Sequence, residues 1–156
     1  MNDKNHEWRW YRWDELKPDT LYAFLKLRSD IFVVEQNCVF SDMDGLDARC
    51  EHLCAFGFDG EVLAYLRLLP PGLEYQPKTL GRVVTQKSAR GHGLSREAML
   101  RGLARLRERY PGQQVCIGGQ RYLEGFYASL GFVTTGEPYL EDGIPHVHML
   151  KTLQGG

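Results

Sequence analysis

Around residue 90 the chain changes rhythm. Leu80 to Thr85 is a short apolar run of strand type, and Ser88-Ala89-Arg90-Gly91-His92-Gly93-Leu94-Ser95 follows it. Apolar residues then return at helical spacing through Leu94, Ala98, Leu100 or Met99, Leu103 and Leu106, until Tyr110-Pro111-Gly112 stops the helix. The unit is strand, glycine loop, helix. Glycine has no Cβ, so it adopts left-handed backbone geometry and lets a ligand come close to the main chain. Such a loop at a helix start turns several N–H groups toward one point, where the helix dipole also favours an anion. The loop therefore suits a phosphate, to which Arg90 could add a charge-assisted contact. Taken alone, it is also compatible with a plain tight turn.

The flanking segments supply partners for this unit. Trp8 to Trp13 is rich in strand-forming aromatics, and after Pro18-Asp19-Thr20 the residues Leu21, Phe24, Leu25, Arg28, Ile31 and Phe32 recur at helical spacing. His52–Phe58 and Glu61–Leu69 flank Asp59-Gly60, a two-residue hairpin signal whose central positions both need positive φ. Val115-Cys116-Ile117 reads as a short buried strand and Tyr122 to Leu130 as a helix ended by Gly131. Phe132–Leu140 and His146–Lys151 form a hairpin around Asp142-Gly143. The predicted order is β-α-β-β-β-α-β-α-β-β. This is an α/β (α+β) fold, a mixed, largely antiparallel sheet with helices on both faces. No linker or repeat interrupts the 156 residues, so one domain over 1–156 is expected, with Gln154-Gly155-Gly156 as a frayed tail.

Charge and composition exclude some classes. With 19 basic and 20 acidic residues the formal net charge is -1, so no global field draws the chain to a nucleic-acid backbone or an anionic membrane. The polar start, Met1 to Glu7, has no apolar core and no segment approaches a membrane span, so a cytoplasmic protein is expected, its four cysteines reduced. The loop is not a Walker loop, and it lacks the third glycine of a dinucleotide fingerprint. Cys50, His52 and Cys54 alternate, as do His146 and His148. These read as buried small residues beside a hydrogen-bonded imidazole in preference to zinc ligands. No metal is expected. Asp42-Met43-Asp44-Gly45-Leu46-Asp47 resembles half a calcium loop, but Leu53 stands at its twelfth position. It reads as a loop lining an acceptor pocket, and its acidity, with Glu35, Glu141 and Asp142, would suit a cationic amine if these groups converge.

The glycine loop resembles that of the GNAT superfamily of acetyl-CoA-dependent N-acetyltransferases, whose QxxGxG or RxxGxA pattern maps onto Ser88–Gly93, with Ser88 where the family favours Gln or Arg. A second block, Gln120-Arg121-Tyr122-Leu123-Glu124-Gly125-Phe126-Tyr127-Ala128-Ser129-Leu130-Gly131-Phe132, is similar to the family's FYxxxGF. Phe32 to Cys38 and Glu141 to His146 resemble its ElaA-like branch. The resemblance implies that acetyl-CoA is bound by Ser88, Arg90, Gly91, His92, Gly93, Leu94 and Ser95 around the pyrophosphate. Gln120 and the main-chain groups of Val83, Val84 and Thr85 would complete the coenzyme site. It also implies that Tyr127 acts as general acid toward the thiolate. For the base that deprotonates the incoming ammonium, Glu35 ranks first, as a helix-end carboxylate whose pKa partial burial would raise, followed by His146 and Glu141. The expected reaction is direct acetyl transfer to a primary amine of an unidentified small molecule or peptide. The oligomeric state stays open, a homodimer included. A non-catalytic acyl-CoA sensor is the alternative, and a nucleotide-binding module a third reading.

Overall fold

The computed structural model describes residues 6–73 and 79–153, so the tail expected at 154–156 lies outside them. The elements follow the expected order: β1 (Glu7–Arg12), α1 (Pro18–Arg28), β2 (Glu51–Phe56), β3 (Val62–Leu68), β4 (Leu80–Thr85), α2 (Leu94–Arg109), β5 (Gln114–Gln120), α3 (Glu124–Ser129), β6 (Val133–Glu141) and β7 (Ile144–Thr152). The strands form two antiparallel sheets, in the orders β1-β2-β3-β4 and β5-β7-β6. They are joined at the foot of β4, where Thr79 N donates to Cys116 O (2.9 Å) and Cys116 N donates to Thr79 Oγ1 (3.2 Å). Beyond that clasp, among the described residues, no ladder links β4 to β5.

Strand alternation assigns the two faces of the first sheet. Leu53, Leu66, Leu68 and Leu80 face α2, whose Ala98, Met99, Leu103 and Leu106 complete the larger core. Cys54, Tyr65 and Val84 face α1 through Phe24 and Leu27. Helices therefore cover both faces. Of the two residues expected on the α2 stripe, Met99 is fully buried and Leu100 half exposed. Arg101 and Arg105 lay their guanidinium groups over the Trp8 and Trp10 rings at 5.3 and 5.1 Å, so the polar flank of α2 also covers the aromatic edge strand.

Two local expectations are corrected. At the β2–β3 turn Gly60 has φ +82 but Asp59 is not left-handed. Gly57 N donates to Glu61 O (2.8 Å) and Gly60 N to Gly57 O (3.0 Å), closing a three-residue loop in place of a two-residue turn. At the β6–β7 turn, Asp142 (φ +52) and Gly143 (φ +79) do supply the left-handed pair. The second correction concerns the helix expected through Phe32, which widens after Arg28 into a π-helical stretch, Ser29–Glu35. Gln36 N donates to Ile31 O (3.1 Å) and Cys38 N to Val33 O (3.0 Å), five residues back in each case. The β-branched run Ile31, Val33 and Val34 disfavours regular helix, and the wider turn brings Ile31, Phe32 and Glu35 onto the wall of a cleft. Among the described residues no helix is long and apolar enough to cross a membrane.

Candidate active site

The split between β4 and β5 opens a cleft of about 690 Å³. Core residues Leu80, Met99 and Ile117 reach its floor, the end of β4 and the glycine loop form one wall, and the end of β5 with α3 forms the other. Gln86 N donates to Leu63 O (2.7 Å), and antiparallel alternation then makes Tyr65 and Val84 a mutually bonded pair. Val84 thus directs its amide and carbonyl to β3, while Thr85 turns its carbonyl outward, where Arg90 Nε donates to it (3.4 Å). The expectation that all three residues from Val83 to Thr85 offer main-chain groups to the cleft narrows to Val83 and Thr85.

At the mouth, Gly91 (φ +87) and Gly93 (φ +77) give the loop its left-handed corners, and Gly93 is the N-cap of α2 with no side chain capping it. The first intrahelical bond from the cap, Glu97 N to Gly93 O (3.0 Å), leaves the N–H groups of Leu94, Ser95 and Arg96 without acceptors inside the helix. Gly91, Gly93, Leu94, Ser95 and Arg96 all line the cleft, and a Cβ at either glycine would meet nothing within 4 Å, so an anion has room beside this helix start. That cradle fits a pyrophosphate. Ser95 Oγ lies 2.8 Å from Thr85 Oγ1, tying the helix start to the end of β4. Ser88, exposed in a 3₁₀ turn (Lys87–Ala89), and His92, exposed between the two glycines, were expected among the coenzyme-binding residues but do not line the cleft. The two left-handed corners turn the intervening residue outward. Gln120 does line the cleft, but its amide donates to Gln36 Oε1 (3.1 Å), bracing β5 against the π-helical stretch.

Tyr127 is 9% exposed and lines the cleft between Phe126 and Phe132, whose rings meet it edge-on at 5.2 and 6.2 Å. Burial, with a smaller contribution from Tyr122, pushes its phenol up to about 12, so it is protonated at neutral pH. The ring lies flat enough on β5 that a Cβ at Gly119 would fall 2.7 Å from Tyr127 Cε2. Gly119 is thus a condition for the tyrosine's position.

The three base candidates all line the cleft, in different states. Glu35 is exposed and gripped by Arg90, Nη1 to Oε1 at 2.8 Å and Nη2 to Oε2 at 2.5 Å. The Arg90 hydrogen bond holds its carboxyl below the usual range, reversing the rise expected from burial. The same pair engages the arginine expected at the phosphate. His146 is 8% exposed; its Nδ1–H donates to Ile144 O (2.7 Å), which leaves Nε2 as the lone-pair nitrogen, 3.4 Å from Glu141 Oε2. Such a ring can take up a proton at Nε2 with a carboxylate beside it.

The acidic loop does not join this group. Asp42 pairs with Arg28 (2.9 Å) and Arg82 (2.8 Å), Asp44 with Arg67 (2.8 Å), and Asp47 with Arg28 (2.7 Å) and Arg67 (3.2 Å). Burial pushes the Asp44 carboxyl up, but its bonds to Arg67 outweigh this and hold it at about 2. His52 belongs to the same cluster: its Nε2–H donates to Asp47 O (2.9 Å) and its Nδ1 accepts from the Tyr65 hydroxyl (2.6 Å), while burial lowers its pKa. The carboxylates expected to draw a cationic amine are matched internally, because three arginines from α1, β3 and β4 converge on one loop.

Sequence reasoning missed Arg82, inside a recognised strand, Gly119, two residues past the strand read at 115–117, and Gln36, Cys38 and Phe40. A charged residue within an apolar run and a glycine inside a strand were available signals; the other three reach the cleft through the π-helical widening and the loop after it.

The chain matches the family model described as "Acetyltransferase (GNAT) domain" over residues 51–153. It is 37% identical to protein ElaA of Escherichia coli over 146 residues, 93% of this chain and 95% of that protein. The crystal structure of an acyl-CoA N-acyltransferase from Pseudomonas aeruginosa superposes with a TM-score of 0.87 at 40% identity, covering 94% of this chain and 99% of that one. The crystal structure of Escherichia coli ElaA gives 0.86 at 35% identity, with 94% and 99% covered.

Proposed function

Because this chain belongs to the GNAT acetyltransferase family, in its ElaA-like branch, we propose that it transfers the acetyl group of acetyl-CoA directly to a primary amine. The observation that carries the reading is the coincidence, in one cleft, of an uncapped helix start and a split in the sheet. The amides at Gly91 to Ser95 would hold the pyrophosphate, and the pantetheine arm would lie along β4 between the sheets. Coenzyme A supplies the activated thioester; orientation and electrostatics are the work of the chain.

His146 replaces Glu35 as the leading base. A carboxylate held low by Arg90 is a poor proton acceptor, whereas His146, with its Nδ1–H bonded to Ile144 O, presents Nε2 as its lone-pair nitrogen on the cleft wall. The proton of the attacking nitrogen goes to Nε2, and Tyr127 donates a hydrogen bond to the departing sulfur. Since a phenol at about 12 is a weaker acid than a thiol near ~8.5, complete proton transfer runs uphill. Tyr127 therefore acts mainly as a donor that stabilises the thiolate. The four cysteines are buried thiols outside any disulfide, which accords with a single domain working in the reducing cytoplasm.

The test is thiol release from acetyl-CoA across a panel of small amines, polyamines, aminoacyl compounds and peptide N-termini. Release that requires one class of amine, and that His146→Gln slows, is the expected result. Tight acetyl-CoA binding with no release for any acceptor would instead favour a sensor.

A further inference from the structure

The β4 strand contains a residue that its neighbours alone do not explain. Arg82 has φ +51, a left-handed conformation that a side chain with a Cβ disfavours and that bulges of this kind usually give to glycine. The register shows the bulge: Val84 pairs with Tyr65 and Gly81 with Arg67, so Arg82 and Val83 both stand opposite Leu66. The bulge falls just before the β4 residues that face the cleft.

Arg82 is held there by charge. Its Nε lies 2.8 Å from Asp42 Oδ1, its Nη2 donates to Asp42 O (3.1 Å) and lies 3.5 Å from Asp44 Oδ2, and its guanidinium covers the Phe40 ring at 5.6 Å. The carboxylates that hold it are themselves fixed. Asp42 takes Arg28 Nε (2.9 Å) and Asp44 takes both Arg67 guanidinium nitrogens (2.9 and 2.8 Å), from α1 and β3. The left-handed residue is thus tied, through these carboxylates, to α1 and β3. Arg82 and Phe40 also line the cleft.

We propose that Arg82 is a positioning residue for acyl-CoA: clamped by Asp42 and Asp44, it holds the β4 bulge that turns the Val83 main chain toward the thioester arm. Its side chain acts through the backbone it fixes, so its role is distinct from that of the pyrophosphate loop. The proposal rests on the acyl-CoA reading, and it assigns the acidic loop a task other than attracting the acceptor. Removing Arg82 leaves Asp42 with Arg28 and Asp44 with Arg67, so no carboxylate of the cluster is orphaned and the fold should survive.

Binding of acetyl-CoA and of 3′-phospho-ADP, which carries the pyrophosphate without the pantetheine arm, tests this by calorimetry on the full chain without knowledge of the acceptor. Arg82→Ala should weaken acetyl-CoA by about tenfold while leaving 3′-phospho-ADP nearly unchanged. Arg82→Gly, which adopts the same φ without a clamp, should recover most of the loss. Asp44→Asn, which loosens the clamp without touching β4, should weaken acetyl-CoA by a smaller factor in the same selective way. Unchanged acetyl-CoA affinity in Arg82→Ala, equal loss of both ligands, or a glycine variant no better than the alanine variant overturns the proposal. If the wild-type chain binds neither ligand, the acyl-CoA reading itself fails.

Discussion

At the α1 face, Arg28, Arg67 and Arg82 meet Asp42, Asp44 and Asp47 within 2.7–3.5 Å, and the imidazole of His52 is bonded at both nitrogens. At the mouth of the cleft, past the end of β4, the start of α2 has no side-chain cap and open space at its glycines. Both regions use charge and left-handed backbone. In the first, the charged side chains are matched to one another by the chain itself, which leaves them little charge to offer a ligand. In the second the donors are held in place and left for a ligand. Richness in charged residues therefore does not mark the site; incompleteness does.

The largest effect that would break this contrast lies in the closed region. Arg28→Met removes one partner from Asp42 and one from Asp47, and should lower the unfolding free energy by about 3 kcal/mol in a denaturant titration. It stays at the low end of such losses because Arg82 and Arg67 remain. A stability within error of wild type would mean the cluster does not brace the fold. In the open region, Tyr127→Phe should cut turnover by roughly 100-fold while acetyl-CoA affinity is retained. An undiminished rate removes the phenol from the chemistry.

Acid should act on the closed region next. The folded pKa of Asp44 lies at about 2, below its unfolded value, and those of Asp47 and His52 are also lowered. Each such group contributes stability that is present above its unfolded pKa and lost as pH falls toward the folded one. The contribution of Asp44 is lost between about pH 4 and pH 2, and Asp44→Asn should flatten that limb of the stability curve. For the loop, Gly93→Ala places a Cβ at φ +77 and should cost about 1 kcal/mol, seen as weaker acetyl-CoA binding. The smallest change is expected from Glu35→Gln. Freed from its carboxylate, Arg90 should bind acetyl-CoA somewhat more tightly at low salt, and the gain should vanish at high salt. Weaker binding would show that the ion pair presets the loop.

Much of the fold was legible in the chain. The order of ten elements and the bounds of β4 follow from apolar period and from turn residues, which are local signals. The Asp142-Gly143 turn followed too, because both positions needed left-handed backbone. Asp59-Gly60 misled, since the same dipeptide also closes a three-residue loop and only the length of the flanking ladder decides between them. The break between β4 and β5 left no trace in either strand, both of which are apolar enough to pair. Of the residues lining the cleft, Tyr127, Gly91, Gly93 and His146 were named from the chain. Glu35 was ranked too high because its partner, Arg90, lies 55 residues away.

The sequence by itself determined where strands and helices lie, which helical stripe is apolar, and that a backbone cradle for an anion precedes α2, because each depends on residues within a turn or two of one another. Only the tertiary structure decided which charges are neutralised. Asp42, Asp44 and Asp47 resemble a ligand site when read along the chain. Asp42 and Asp44 instead hold Arg82, and Asp47 holds Arg28 and Arg67, because α1, β3 and β4 bring three guanidinium groups to one loop, and an electrostatic pairing depends on distance in space and not on separation in sequence.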